Sequence, residues 1–292
     1  MKKTKIKESV SSKKRAEQCE FEELLPYWNG FFKDKIFFTY ARCDECELLF
    51  APIYYQPEQL EILYRQMAPN MDLVPISALS KTQRGYFNKL KEFSSLENGY
   101  IEIGPDIGIF TSNCSKEGKF DYFWLCEPNK EVANTLSKNM ANCKYTIIEG
   151  MFGFSEIPPN SSSVAVMIQV LDHLIDPINT LVELKTKLRP NAKLLLVTHN
   201  EKSLLCKILG WKWPAFCMQH PQIYSPDSLT KLLENSGYKV ESITNSKNYF
   251  QLSFLLKHIL WAFGVKLNKI PSIFNFSIGL KLGNIITVAT PK

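Results

Sequence analysis

The residues best suited to chemistry fall in four places. Residues 100–111, YIEIGPDIGIFT, set an acid (Glu102), a glycine (Gly104), a second acid (Asp106) and a second glycine (Gly108) between a β-branched run and an apolar helical start. Glu127 closes the next apolar run, 23 residues after Gly104. Asp172 and His173 follow a third run, VAVMIQV over residues 164–170, whose one polar member is Gln169; His220 and Tyr224 lie in an aromatic stretch beyond. A strand that breaks at glycine and opens a helix offers bare backbone N–H groups to a ligand. A carboxylate about 20 residues on holds two vicinal hydroxyls, one on each oxygen. Histidine at a strand end moves protons near neutral pH.

The turn selects among ligands. Read from Gly104 as the dinucleotide pattern GxGxxG, the chain gives Gly, Pro, Asp, Ile, Gly, Ile, so only the first glycine is in place. The Asp106 carboxylate would also face an approaching pyrophosphate, which argues against NAD and FAD. A ligand that is cationic near the turn and carries a ribose further out suits it better, and S-adenosylmethionine (SAM) has both a sulfonium and an ammonium group.

Glu102, Gly104 and Gly108 resemble the first motif of class I SAM-dependent methyltransferases, an acid followed by three alternating glycines, with Asp106 in the middle glycine's place. Aspartate tolerates left-handed backbone, so the turn survives the exchange. Residues 171–200 (LDHLIDPINTLVELKTKLRPNAKLLLVTHN) are similar to the turn, helix, turn and strand that follow the fourth strand in that family. The resemblance implies an α/β fold with a Rossmann-like seven-stranded methyltransferase sheet, its last strand inserted between the fifth and sixth. It implies a cofactor set of Glu102, Gly104, Asp106, Gly108, Glu127 and Gln169, with Met151 and Phe152 against the adenine. It also brings a small-molecule acceptor, sugar-linked in the branch concerned, and an acceptor side formed by His173, His220 and Tyr224. Each of these three has an ordinary alternative as a loop brace, and Trp211 and Trp213 as fasteners of the same loop. A catalytically silent SAM-fold scaffold and an RNA methyltransferase stay open as other functions.

The elements that must position these groups read off the periodicities. Helices are expected over residues 56–67, 86–96, 108–115, 130–140 and 225–236, and strands over 120–126, 145–148, 164–170, 193–198, 239–243 and 283–290. Residues 68–75, with two prolines, read as a linker. Leu252, Leu255, Leu256, Ile259, Leu260 and Phe263 form an apolar stripe at helical spacing, so residues 249–263 offer a core, dimer or membrane-surface contact.

The formal net charge of +6 is local. Residues 1–15 hold six Lys, one Arg and one Glu, and the rest of the chain balances. This predicts a disordered basic tail over 1–15 with no nucleic-acid partner. Residues 16–75 read as an appendage and 76–292 as the catalytic domain. Within the appendage Cys43 and Cys46 form a CxxC between two β-like runs, and YARCDECELLF resembles the second half of the zinc ribbon that precedes many bacterial methyltransferases. With Cys19 upstream, three thiolates would be available for zinc. The basic start leads into polar residues and no apolar run is long enough to span a bilayer, so the expected location is the cytoplasm. Nothing in the sequence sets an oligomeric state.

Overall fold

The computed structural model describes residues 6–28, 35–65, 75–140, 142–149, 153–253, 255–256, 260 and 271–292. The chain begins with five short strands, β1 (Ile6–Val10), β2 (Lys14–Arg15), β3 (Ile36–Phe37), β4 (Tyr40–Cys43) and β5 (Leu49–Phe50), and two helices, α1 (Phe21–Leu24) and α2 (Pro57–Arg65). β1 pairs antiparallel with β4, and β2 runs parallel to β3. The basic segment is therefore not a free tail beyond residue 5. Strand pairing satisfies its backbone, and Arg15 reaches back to Glu8 at 2.7 Å. Net charge says nothing about such pairing, which is why residues 6–15 depart from the expectation; residues 1–5 lie outside the described residues.

The rest of the chain alternates α3 (Ile76–Lys91), β6 (Glu97–Ile103), α4 (Ile109–Glu117), β7 (Lys119–Cys126), α5 (Lys130–Asn139), β8 (Tyr145–Ile148), β9 (Ser162–Ile168), α6 (Pro177–Lys187) and β10 (Leu188–His199). Then come α7 (Leu204–Leu209), β11 (Gln222–Ile223), α8 (Pro226–Asn235), β12 (Tyr238–Asn245), β13 (Asn248–Gln251), β14 (Ser277–Leu280) and β15 (Asn284–Pro291). Seven strands form one sheet in the order β12, β15, β10, β9, β6, β7, β8. β8, β7, β6, β9 and β10 are parallel, and β15 runs antiparallel between β10 and β12. This is the expected insertion of the last strand. Val164, Ala165, Val166 and Met167 are fully buried because helices cover both faces of the central strand.

Local signals explain most helix ends. Asp176 caps α6 by accepting the Asn179 N–H, with Pro177 in the first turn. Ser225 and Ser228 form a reciprocal capping box on α8. α3 starts ten residues earlier than expected and stops at Lys91, since Leu96 and Asn98 take left-handed backbone to turn the chain into β6. Residues 248–251 pair antiparallel with residues 277–280. Of the expected helical stripe, Ile259 and Phe263 lie outside the described residues, as do residues 68–74 of the expected linker and 66–67 of the helix before it.

The appendage is not a separate bead. β11 pairs with β5, and Trp213, Phe216, Met218 and Ile223 share one apolar core with Trp28, Phe37, Tyr40 and Leu60. Aromatic packing joins the two, with Phe37 stacked on Phe216 at 5.8 Å between centroids.

Candidate active site

The turn after β6 is built from left-handed residues at alternate positions. Gly104, Asp106 and Gly108 have φ of 66°, 51° and 77°. A Cβ at Gly104 would come within 2.6 Å of Val170 Cγ2, and one at Gly108 within 2.5 Å of Leu136 Cδ1, so both glycines are sterically required. Asp106 takes the left-handed conformation expected of it, and its N–H donates to Glu127 Oε2 at 3.1 Å. Glu127 Oε1 accepts the Asn129 N–H at 2.9 Å. The carboxylate at the end of β7 thus ties the glycine turn to the start of the next helix, and burial raises its pKa.

Glu102 stands behind the turn rather than in the crevice. Only 2% exposed, its Oε2 accepts the Tyr100 hydroxyl at 2.6 Å and the Thr111 hydroxyl at 2.5 Å, which anchors the first turn of α4 to β6. Burial outweighs these two donors and pushes its pKa up to about 7. A side chain two positions from Tyr100 on a strand shares that residue's buried face. Met151 and Phe152 lie outside the described residues.

β9 ends in a second left-handed residue, Gln169 at φ 55°, whose N–H donates to Val197 O at 2.8 Å. The chain then drops into a single turn, Leu171–His173. Asp172 is fully buried there. Its Oδ2 accepts both the backbone N–H of His199, at 3.0 Å, and that residue's Nδ1–H, at 2.7 Å. Its Oδ1 is buried with no hydrogen-bond partner among the described residues.

Around this pair the structure assembles three imidazoles. The His220 ring lies 4.7 Å from those of His173 and His199. His173 Nδ1 meets the hydroxyl of Tyr64, on α2 of the appendage, at 3.2 Å. His220 Nδ1 points at Ala215 O, 2.7 Å away, with Cys217 Sγ at 3.4 Å. Tyr40 fixes the same loop by donating to the His220 carbonyl at 2.6 Å. A carboxylate and a carbonyl can only accept, so Nδ1 carries the proton in both His199 and His220, and Nε2 is the atom each has to offer.

The environments push these rings apart. Burial, then the neighbouring imidazoles, hold His173 well below its ordinary value. Burial also lowers His199, against the pull of Asp172. Burial disfavours charge on His220 too, but the sulfur of Cys217, with Asp172 and the Ala215 carbonyl, raises that ring to about 9, while His220 draws the Cys217 thiol down against its own burial. One neutral imidazole beside one cationic imidazole is an arrangement that can accept a proton at one point and donate a hydrogen bond at another.

Tyr224 and the three cysteines are placed elsewhere. Tyr224 is fully buried in the sheet core, with its hydroxyl directed at Leu171 O, and cannot meet an acceptor. The three thiols do not assemble: Cys19 Sγ donates to Arg15 O while Cys43 and Cys46 sit together on the β4–β5 turn. Among the described residues no group of three or more His, Cys, Asp or Glu could hold a metal ion, so the donor set does not fit zinc. His199 and Tyr64 were not singled out in the sequence. The signal for His199 was its position closing the strand after Asp172 and His173; Tyr64 gave none beyond its place in an amphipathic helix.

A family model described as a methyltransferase domain matches residues 79–243. The chain belongs to that methyltransferase family. Its fold is that of several solved structures. A SAM-dependent methyltransferase of Leishmania major is 14% identical, with 81% of this chain and 85% of that one covered and a TM-score of 0.53. A chain of the complex between the Haloferax volcanii Trm112 methyltransferase activator and a methyltransferase is 11% identical, with 74% and 93% covered and a TM-score of 0.54. A third, an S-adenosylmethionine dependent methyltransferase from Listeria monocytogenes, is 8% identical, with 72% and 99% covered and a TM-score of 0.50. No curated protein matches the chain. The protein is a SAM-dependent methyltransferase, and no helix among its described residues is long and apolar enough to cross a membrane.

Proposed function

We propose that this methyltransferase modifies a hydroxyl of a small-molecule acceptor, sugar-linked as the family resemblance implies, and that the acceptor enters between the histidine cluster and the appendage. The observation that carries the reading is the placement of His173 and His199 at the carboxyl ends of β9 and β10, with the His220 ring against both and Val170 packed against the glycine turn of β6. That is the crevice in which a parallel sheet binds its ligands.

The residues present fit SAM. Gly104 and Gly108 leave backbone uncovered where any side chain would collide, and each Glu127 oxygen keeps a lone pair beyond the N–H it accepts. Gly104, Asp106 and Gly108 would hold the methionine end, Glu127 the ribose hydroxyls, and Gln169 would border the site. When bound, SAM supplies an electrophilic methyl group. His199 Nε2 would accept the proton of the acceptor hydroxyl, and buried Asp172 would stabilise the imidazolium formed. His220 and His173 position the acceptor, with His220 donating through Nε2. Holding acceptor and donor in line supplies much of the remaining acceleration.

The test is calorimetric titration of the purified protein with SAM and S-adenosylhomocysteine, beside Glu127→Ala. Micromolar binding that collapses in the variant supports the cofactor site. A folded protein that binds neither compound would sink the enzymatic reading of this turn and leave a scaffold.

A further inference from the structure

The helix that follows the active-site strand has two unlike faces. α7 is capped by Ser203, whose side chain accepts the Cys206 N–H, and it packs Cys206, Leu205 and Leu209 onto the appendage core. Leu204 and Ile208, one turn apart on the other side, are 73% and 70% exposed. Two branched aliphatic side chains that close together in water are a standing cost to a monomer unless something covers them.

The charge around this face says what kind of surface would cover it. Residues 202–226 contain no Asp or Glu and three lysines. Lys202 is engaged by Glu47 and Asp227, but Lys207 and Lys212 flank the exposed pair. Trp211 follows, half-buried against the appendage core, with Lys212 Nζ 5.9 Å and Lys13 Nζ 6.0 Å from its ring centre. Lys13 belongs to residues 1–15, which carry the whole formal net charge of the chain, so the structure brings the basic segment to the apolar one. Aliphatic groups with an aromatic neighbour and a rim of lysines match a bilayer, apolar below and anionic at its headgroups. A second copy of the chain would set the same lysines against each other.

We propose that the α7 face, Leu204 and Ile208 with Lys207, Trp211, Lys212 and Lys13, docks on an anionic lipid surface. α7 leaves the carboxyl end of β10 five residues after His199, so docking there holds the crevice edge of the sheet against the bilayer.

Sedimentation of the full chain with vesicles tests this, using phosphatidylcholine alone and phosphatidylcholine mixed with phosphatidylglycerol. The wild-type protein should bind the anionic vesicles and release them as salt is raised. Leu204→Glu with Ile208→Glu should weaken binding by at least about tenfold. Lys207→Glu with Lys212→Glu should weaken it by a similar factor. All four positions are exposed, so unchanged melting and unchanged SAM titration certify folding. The proposal is overturned by absence of vesicle binding, by equal binding to both vesicle types, by indifference to the substitutions, or by a dimer in analytical ultracentrifugation that Leu204→Glu dissolves.

Discussion

Asp172 grips His199 twice, through the backbone N–H at 3.0 Å and the ring Nδ1 at 2.7 Å, while its other oxygen is buried without a partner among the described residues. A carboxylate so placed fixes both the position and the tautomer of one imidazole. It also raises the basicity of that ring against the burial that lowers it. Asp172→Asn should therefore lower the His199 pKa further. Nitrogen chemical shifts of the ring, followed through a pH titration by NMR, measure this directly, and an unchanged midpoint would remove Asp172 from the role given to it. In turnover, loss of a tuned general base costs about 100-fold or more, with SAM affinity unaffected.

Glu127 supports two structures at once. In the free protein it accepts N–H groups from Asp106 and Asn129, and with cofactor bound it would add two ribose hydroxyls. Hydrogen bonds to a charged group are worth about 1.5–3 kcal/mol each, so Glu127→Ala should weaken SAM by at least about 30-fold in calorimetry. Glu127→Gln keeps the shape and should lose less. Equal affinity in all three proteins would show that the ribose lies elsewhere.

Glu102 predicts a pH dependence of stability. Its folded pKa of about 7 lies above the ordinary 4.5, so between these values the native state binds the extra proton and the unfolded state does not. Stability contributed by the protonated group is complete below about pH 4.5 and falls as pH rises towards 7, by up to about 3 kcal/mol. Glu102→Gln cannot ionise, yet its amide oxygen can still accept from Tyr100 and Thr111. The difference between variant and wild type, from urea unfolding at several pH values, should grow in the variant's favour from pH 5 to pH 8. A constant difference would mean that Glu102 titrates normally.

What the sequence made legible was local. The glycine turn and the acid 23 residues on follow from spacing along a few dozen residues, the strand order came with the family resemblance, and Asp106 adopts the left-handed backbone its side chain permits. Contacts between distant segments were not. His199 matters only because the turn at Asp172 lies beside the end of β10, and Tyr64 only because α2 folds over His173. Tyr224 read as a loop residue, but the β11 pairing that fuses appendage and sheet carries it into the core. The CxxC sits on the tight turn between the antiparallel β4 and β5; whether a third thiol joins it depends on the fold of the segment before α1, and Cys19 faces Arg15 O instead.

Tyr64 is where the appendage enters the chemistry, which makes it the residue that separates a catalytic appendage from a merely stabilising one. Its ring packs edge-on against Trp28 at 5.3 Å, so truncation to Ala would disturb the appendage core as a whole. Tyr64→Phe keeps that ring and removes only the hydroxyl 3.2 Å from His173 Nδ1. Loss of one hydrogen bond should lower stability by about 0.5–1.5 kcal/mol, a small shift in thermal melting. The larger effect is expected on His173, which loses the hydroxyl at its Nδ1: its nitrogen shifts should move towards a mixture of tautomers while those of His199 stay in place. If His173 is undisturbed by Tyr64→Phe, the hydroxyl is a packing neighbour only, and the appendage contributes stability without shaping the acceptor site.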